Sequence, residues 1–288
     1  MPALSMHAHS NLAELPPPAR LGRFRLAPDN RAEAALQRRR KRALEAAIAA
    51  DNFELQFQPN LSLRHGGVTV VEAQLRWPQG KGGLLPAAMF LPLAEQTGQI
   101  VRIGGWALRH ACSAVIAANW PATWSVSVTV SLRQIEEGVL LAQVADALEH
   151  SQLAPDRLEI ALAEPDVTEI SLESLLTLSA LRDLGLGLAL DAFGTGAASF
   201  ACLRRLPLTQ LRLDRSLIRD VPDNHEDSAI VRAIVQTGHA LGLRVAASGI
   251  ETEQQRGFLA ASGCDDGQGP LFSQPLPAHQ IRQRMKKP

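Results

Sequence analysis

Apolar and polar residues alternate along 53–58 and again along 68–76, a period of two that predicts two half-buried strands. Pro59 interrupts the first run and Arg64-His65-Gly66-Gly67 supplies a turn, so the pair reads as a hairpin. Short apolar runs at 126–131, 157–162, 186–191, 210–214 and 244–247, with a brief one near Cys264, predict further strands. Between them, helical spacing predicts helices over 89–96, 106–118, 135–150, 172–184, 228–241 and 253–260. Strands that alternate with helices imply βαβ units and a parallel sheet. A chain of 288 residues can close them into one (β/α)8 barrel or divide them between two smaller domains.

The start of the chain differs from the rest. Residues 1–30 carry scattered apolar positions and the run Pro16-Pro17-Pro18, which predicts a flexible arm. Residues 31–50 are rich in alanine, leucine, glutamate and arginine, with no glycine or proline, and predict a helix against the domain formed by 51–288. The cluster Arg38-Arg39-Arg40-Lys41-Arg42 lacks interleaved aromatic residues, so it reads as a solvated helix face rather than a nucleic-acid surface. With 29 basic and 29 acidic residues, no global field argues for nucleic acid or for a membrane surface. Cys112, Cys202 and Cys264 lie far apart without metal spacing and read as free thiols in a reducing compartment. No apolar run approaches membrane-spanning length, and the N-terminus lacks the pattern of a secretory signal, so a cytoplasmic location is expected.

The densest chemistry lies in the stretch from Leu186 to Gly196, where a glycine-spaced apolar run ends at Asp191 and breaks into Gly194-Thr195-Gly196. In a parallel sheet Asp191 stands at the carboxyl end of its strand, where such folds place their chemistry. The alternative is an aspartate that only caps the next helix.

Asp191-Ala192-Phe193-Gly194-Thr195-Gly196, followed by Leu203-Arg204-Arg205-Leu206-Pro207 and Leu211-Arg212-Leu213-Asp214-Arg215-Ser216, resembles the EAL domain family of bacterial cyclic di-GMP phosphodiesterases. Gln58-Pro59, Glu72-Ala73, Arg76-Trp77, Thr97-Gly98, Gly249-Ile250-Glu251-Thr252, Gln268-Gly269 and Pro275-Leu276-Pro277 extend the likeness over roughly residues 43–277. The resemblance implies a (β/α)8 TIM-like barrel of EAL type with an antiparallel first strand. It also implies a two-metal site, from which this chain departs. Glu72 and Asp191 match ligand carboxylates, whereas Thr129, Ala161, Ala192 and Ser248 replace ligands, and Arg212 stands for the active-site lysine. Gln74 replaces the leucine of the family's signature.

Two carboxylates are too few for a pair of divalent ions. The expectation is therefore a chain with no catalytic residues, no metal and no cofactor: not an enzyme, but a degenerate phosphodiesterase. By resemblance Gln58, Glu72, Arg76, Asp191, Arg212, Asp214, Gln268 and Pro275 form a cyclic di-GMP site, with Arg76 and Arg212 gripping phosphate. Arg76, Asp214 and Arg212 could equally form structural ion pairs at the barrel mouth. Glu164 and Glu251 match positions that fix the loop after Asp191, unless they are ordinary helix-cap carboxylates. The function expected is a metal-independent cyclic di-GMP receptor acting through an unidentified regulatory protein, with homodimerisation compatible. The alternatives are an interaction scaffold that binds no nucleotide and a residual phosphodiesterase.

Overall fold

The computed structural model describes residues 30–80, 83–167, 170–195 and 200–285. Strands β1 (Glu54–Ser62) and β2 (Val68–Pro78) form the expected antiparallel hairpin, with Gln58 opposite Glu72 and Glu54 opposite Arg76. A short strand that the sequence pattern does not predict, β3 (Leu84–Pro86), folds back on the end of β2. Beyond it, β4 (Ser125–Thr129), β5 (Leu158–Ala163), β6 (Gly187–Phe193), β7 (Gln210–Leu213), β8 (Arg244–Ser248) and β9 (Asp266–Gln268) follow one another in parallel. β2 pairs with β4, and β1 returns antiparallel to β9, so the sheet closes on itself. The result is an eight-stranded barrel with its first strand reversed, as expected, and β3 outside the ring.

Strand alternation decides which side chains enter the barrel. In β5, Leu158, Ile160 and Leu162 join the apolar layer beneath the helices, while Glu159 turns to the axis and pairs with Arg212 of β7. In β2, Val71, Ala73 and Leu75 are buried and Glu72, Gln74 and Arg76 form the opposite, half-buried face.

The helices are α1 (Asn30–Ala49), α2 (Leu91–Thr97), α3 (Ile100–Ala117), α4 (Leu132–Glu136), α5 (Leu140–Ser151) and α6 (Leu172–Asp183). They continue with α7 (Phe200–Arg205), α8 (Arg215–Ile218), α9 (His225–Ala240), α10 (Glu253–Ala261) and α11 (Ala278–Arg284). α3 buries Ile100, Ile103, Ala107, Leu108, Ala111 and Val115, a stripe at helical spacing. It begins six residues before the start that the sequence pattern predicts. Gly104 and Gly105 weaken the helical signal there, yet a Cβ on Gly104 would lie 2.2 Å from the buried Gln134 side chain. Gln134 is held in place by a capping box with Ser131 at the start of α4. The single helix expected over 135–150 is two, because Gly138 takes a φ of 70° between α4 and α5.

The chain divides into two units, Met1–Arg40 and Lys41–Pro288. Within the larger unit, Leu44 is fully buried against Leu75, Phe90, Ile100 and Ile103, so the end of α1 belongs to that core. The arm expected over 1–30 lies outside the described residues except for Asn30. Cys112 and Cys264 are buried free thiols, and burial pushes the Cys112 thiol up to about 12. The Cys202 side chain lies outside what the structure describes.

Gly269, just after β9, is packed against the backbone of Ile250: an added Cβ would lie 2.1 Å from the Ile250 carbonyl oxygen. Backbone cannot yield as a flexible side chain does. Gly269→Ala is therefore expected to lower stability by about 3 kcal/mol, read from the urea midpoint at unchanged m. An unchanged midpoint would show that this loop accommodates the methyl.

Candidate functional site

One face of the β1–β2 hairpin carries Glu72, Gln74 and Arg76 at alternate positions, with Gln56 and Gln58 across from them. Gln74 Nε2 donates to Gln58 Oε1 (2.9 Å) and to Glu72 Oε2 (3.1 Å), and Gln74 Oε1 accepts from Arg76 Nη2 (2.7 Å). Arg76 also donates to Gln56 Oε1 (3.1 Å) and to the Leu75 carbonyl (3.0 Å). From β9, Gln268 Nε2 donates to the same Glu72 oxygen (2.8 Å) and to the Gln58 carbonyl (3.3 Å). Gln58 Nε2 donates to the Ser273 carbonyl, and Leu276 exchanges backbone hydrogen bonds with Phe57. The segment bearing Pro275 is thereby fastened to β1. Burial lowers the Arg76 pKa, and the charges of Glu72 and Glu54 oppose that shift.

Arg212 corrects an expectation. It is 2% exposed, on the barrel axis, and its donors go to Gln210 Oε1 (3.0 Å), Ser127 Oγ (2.8 Å) and Glu159 Oε1. A guanidinium so enclosed acts on a ligand only through its charge. Burial alone would lower its pKa, but the carboxylates of Glu159, Asp191 and Glu72 outweigh that and hold it above its usual value. The polar column continues downward. Gln210 Nε2 donates to Asp266, whose carboxylate also takes Thr69 Oγ1 (3.1 Å) and Arg244 (2.7 Å).

Asp191 lies two residues before the end of β6, near the carboxyl mouth, and accepts from the Ala192 N–H through Oδ1 (2.8 Å). It is a strand residue rather than a helix N-cap. Ala192 sits in left-handed backbone with φ 54°, a conformation that disfavours any side chain with a Cβ. Buried Glu164 accepts from the N–H groups of Gly194 (2.9 Å) and Thr195 (2.8 Å), so this carboxylate ties down the loop. Glu251 behaves otherwise. Its side chain is exposed and, among the described residues, makes no hydrogen bond to that loop. Asp214 caps α8 through Oδ1, which accepts from the Ser216 N–H (2.8 Å).

Neither Arg76 nor Asp214 forms an ion pair among the described residues, and the structural pairing considered for the three charged residues applies to Arg212 alone. Sequence reasoning missed Glu159, Ser127, Gln56 and the bridging role of Gln74. Strand alternation alone would have placed Glu159 inward, but not against a residue from two strands away.

For metal ions, the matched positions supply side-chain carboxylates at Glu72 and Asp191, a hydroxyl at Thr129 and at Ser248, and nothing at Ala161 or Ala192. Among the described residues no group of three or more His, Cys, Asp or Glu side chains is arranged to hold an ion. This donor set does not fit a pair of divalent cations.

The EAL domain pattern matches residues 41–275. The chain belongs to the EAL domain family. It is 38% identical over 242 residues to the bifunctional diguanylate cyclase/cyclic di-GMP phosphodiesterase MucR of Pseudomonas aeruginosa, covering 83% of this chain and 35% of that one. It is 37% identical over 245 residues to the cyclic di-GMP phosphodiesterase NbdA of the same organism, covering 84% and 31%. A solved complex of the PaMucR phosphodiesterase with c-di-GMP shares the fold at a TM-score of 0.79 and 37% identity, over 84% of this chain and 99% of that one. The chain thus spans about a third of the length of the curated relatives it matches.

The expectation that the chain is not an enzyme is overturned by this comparison. Proteins 35–38% identical to it are named cyclic di-GMP phosphodiesterases, and nothing in the likeness marks this domain as inactive. No helix among the described residues is long and apolar enough to cross a membrane.

Removing one partner of the buried pair leaves an uncompensated charge, whereas replacing both with apolar groups does not. Arg212→Met is expected to cost about 3–5 kcal/mol in chemical denaturation. Glu159→Met combined with Arg212→Met is expected to recover most of that loss. Additive losses in the double variant would show that the pair is not coupled.

Proposed function

We propose that this EAL domain binds cyclic di-GMP at the carboxyl mouth of the barrel, with guanidinium and amide groups in the part that a metal pair would otherwise take. The observation that carries the reading is the single hydrogen-bonded network joining Gln58, Glu72, Arg76 and Gln268, with the Pro275 segment fastened beside it. Arg76 is half-buried, charged and free of any carboxylate partner among the described residues, which is the state a phosphate-gripping arginine needs. Asp214 offers its carboxylate to a guanine edge.

Phosphates brought near Glu72 and Asp191 are repelled at close range. Two features offset that repulsion. Glu72 Oε2 is already satisfied by two amide donors, and the buried Arg212 cation attracts both carboxylates. The family membership and the solved c-di-GMP complex of a 37% identical relative support the same ligand.

Calorimetric titration with cyclic di-GMP in EDTA tests this. Binding is expected without added cation and is expected to weaken as salt rises, since part of it is phosphate electrostatics. Arg76→Ala should lose about 1.5–3 kcal/mol of binding free energy, the range for a hydrogen bond to a charged group. Absence of binding by folded protein would refute the reading, and binding only on addition of magnesium would refute its cation independence.

A further inference from the structure

Gln74 occupies an unusual place between a cation and an anion. Its amide reaches Arg76 with the oxygen and Glu72 with the nitrogen, and the same nitrogen also donates to Gln58. The orientation of the amide is fixed by its neighbours. Nε2 faces two acceptor oxygens and Oε1 faces a guanidinium, whereas the flipped amide would set donors against Arg76 and an oxygen against a carboxylate. Glu72, Gln74 and Arg76 project from one face of β2 at successive alternate positions, so residue 74 lies between the other two. Arg76 and Glu72 do not form an ion pair, although each bears a charge and both contact the same side chain.

We propose that Gln74 is a positioning residue for nucleotide binding: it separates Arg76 from Glu72 and holds the guanidinium available to a phosphate. This rests on the binding reading above and adds to it a residue that touches no ligand. With an apolar side chain at 74, Arg76 loses the acceptor of its 2.7 Å bond and Glu72 loses a donor. Arg76 keeps Gln56 and the Leu75 carbonyl and Glu72 keeps Gln268, so each charge is left one partner short, with the opposite charge within electrostatic reach. Their pairing withdraws the guanidinium from the ligand, so nucleotide binding has to break an ion pair first.

An insulating residue differs from a merely structural one in a way that can be measured. Removing the Glu72 charge should restore what the loss of Gln74 takes away. The experiment measures cyclic di-GMP affinity by calorimetry in EDTA for the full chain, Gln74→Met, Glu72→Gln and the combination, with thermal unfolding of each as a check on folding. Methionine keeps the length of glutamine and removes its hydrogen bonds.

Gln74→Met is expected to bind about tenfold more weakly, equivalent to about 1.4 kcal/mol. The combination is expected to return to within about threefold of the unaltered chain. Gln74→Met that binds as the unaltered chain does would overturn the inference while leaving the binding reading intact. A tenfold loss that Glu72→Gln fails to rescue, in protein that remains folded, would overturn the insulating role. Failure of the unaltered chain to bind would refute the binding reading itself, and the role of Gln74 with it.

Discussion

The buried pairing of Arg212 with Glu159 is the interaction on which the rest of the barrel interior depends. A guanidinium 2% exposed cannot stay charged without a partner, and here it reaches from β7 to Glu159 on β5 and Ser127 on β4. Three strands are thereby held in one register around the axis. Gln210 extends the contact to Asp266 on β9, and Asp266 in turn takes Arg244 and Thr69. Paired and hydrogen-bonded polar groups thus run along the barrel axis. The same arginine feels the charges of Glu72 and Asp191. The electrostatics of the mouth follow from that buried charge.

Much of this was legible beforehand, for identifiable reasons. Period-two alternation in 53–58 and 68–76 placed the hairpin, because one face of each strand must be buried. The glycine-spaced run ending at Asp191 marked strand β6, and Glu164 accepts from the N–H groups of Gly194 and Thr195 in the loop that follows. The failures also have physical causes. Gly104 and Gly105 weaken the helical signal, yet Gly104 makes room for Gln134 and Gly105 for Gln143. Arg212 was expected to touch a ligand because an arginine is charged. Its burial depends on Glu159, a partner that no local pattern names. Gln74 departs from the family's signature leucine, and it bonds three of the site's residues together.

The substitutions at 129, 161, 192 and 248 pointed to an inactive domain, and the relatives do not support that. Proteins named cyclic di-GMP phosphodiesterases lie within 35–38% identity, although this chain covers only about a third of the length of MucR and NbdA. What the site itself displays is a set of groups that stabilise its two carboxylates. Neutral amides satisfy Glu72 directly, and a buried cation attracts both acids. These groups are present before any ligand arrives, so their contribution costs no reorganisation on binding.

A crystal structure of the chain grown with cyclic di-GMP and magnesium would decide whether guanidinium and amide groups stand in for a metal pair. The nucleotide is expected across the carboxyl mouth, with a phosphate oxygen within hydrogen-bond distance of Arg76 and no ion between the phosphates and Glu72 or Asp191. Two ions bridging those carboxylates to the phosphate, or a nucleotide seated away from Arg76, would contradict it.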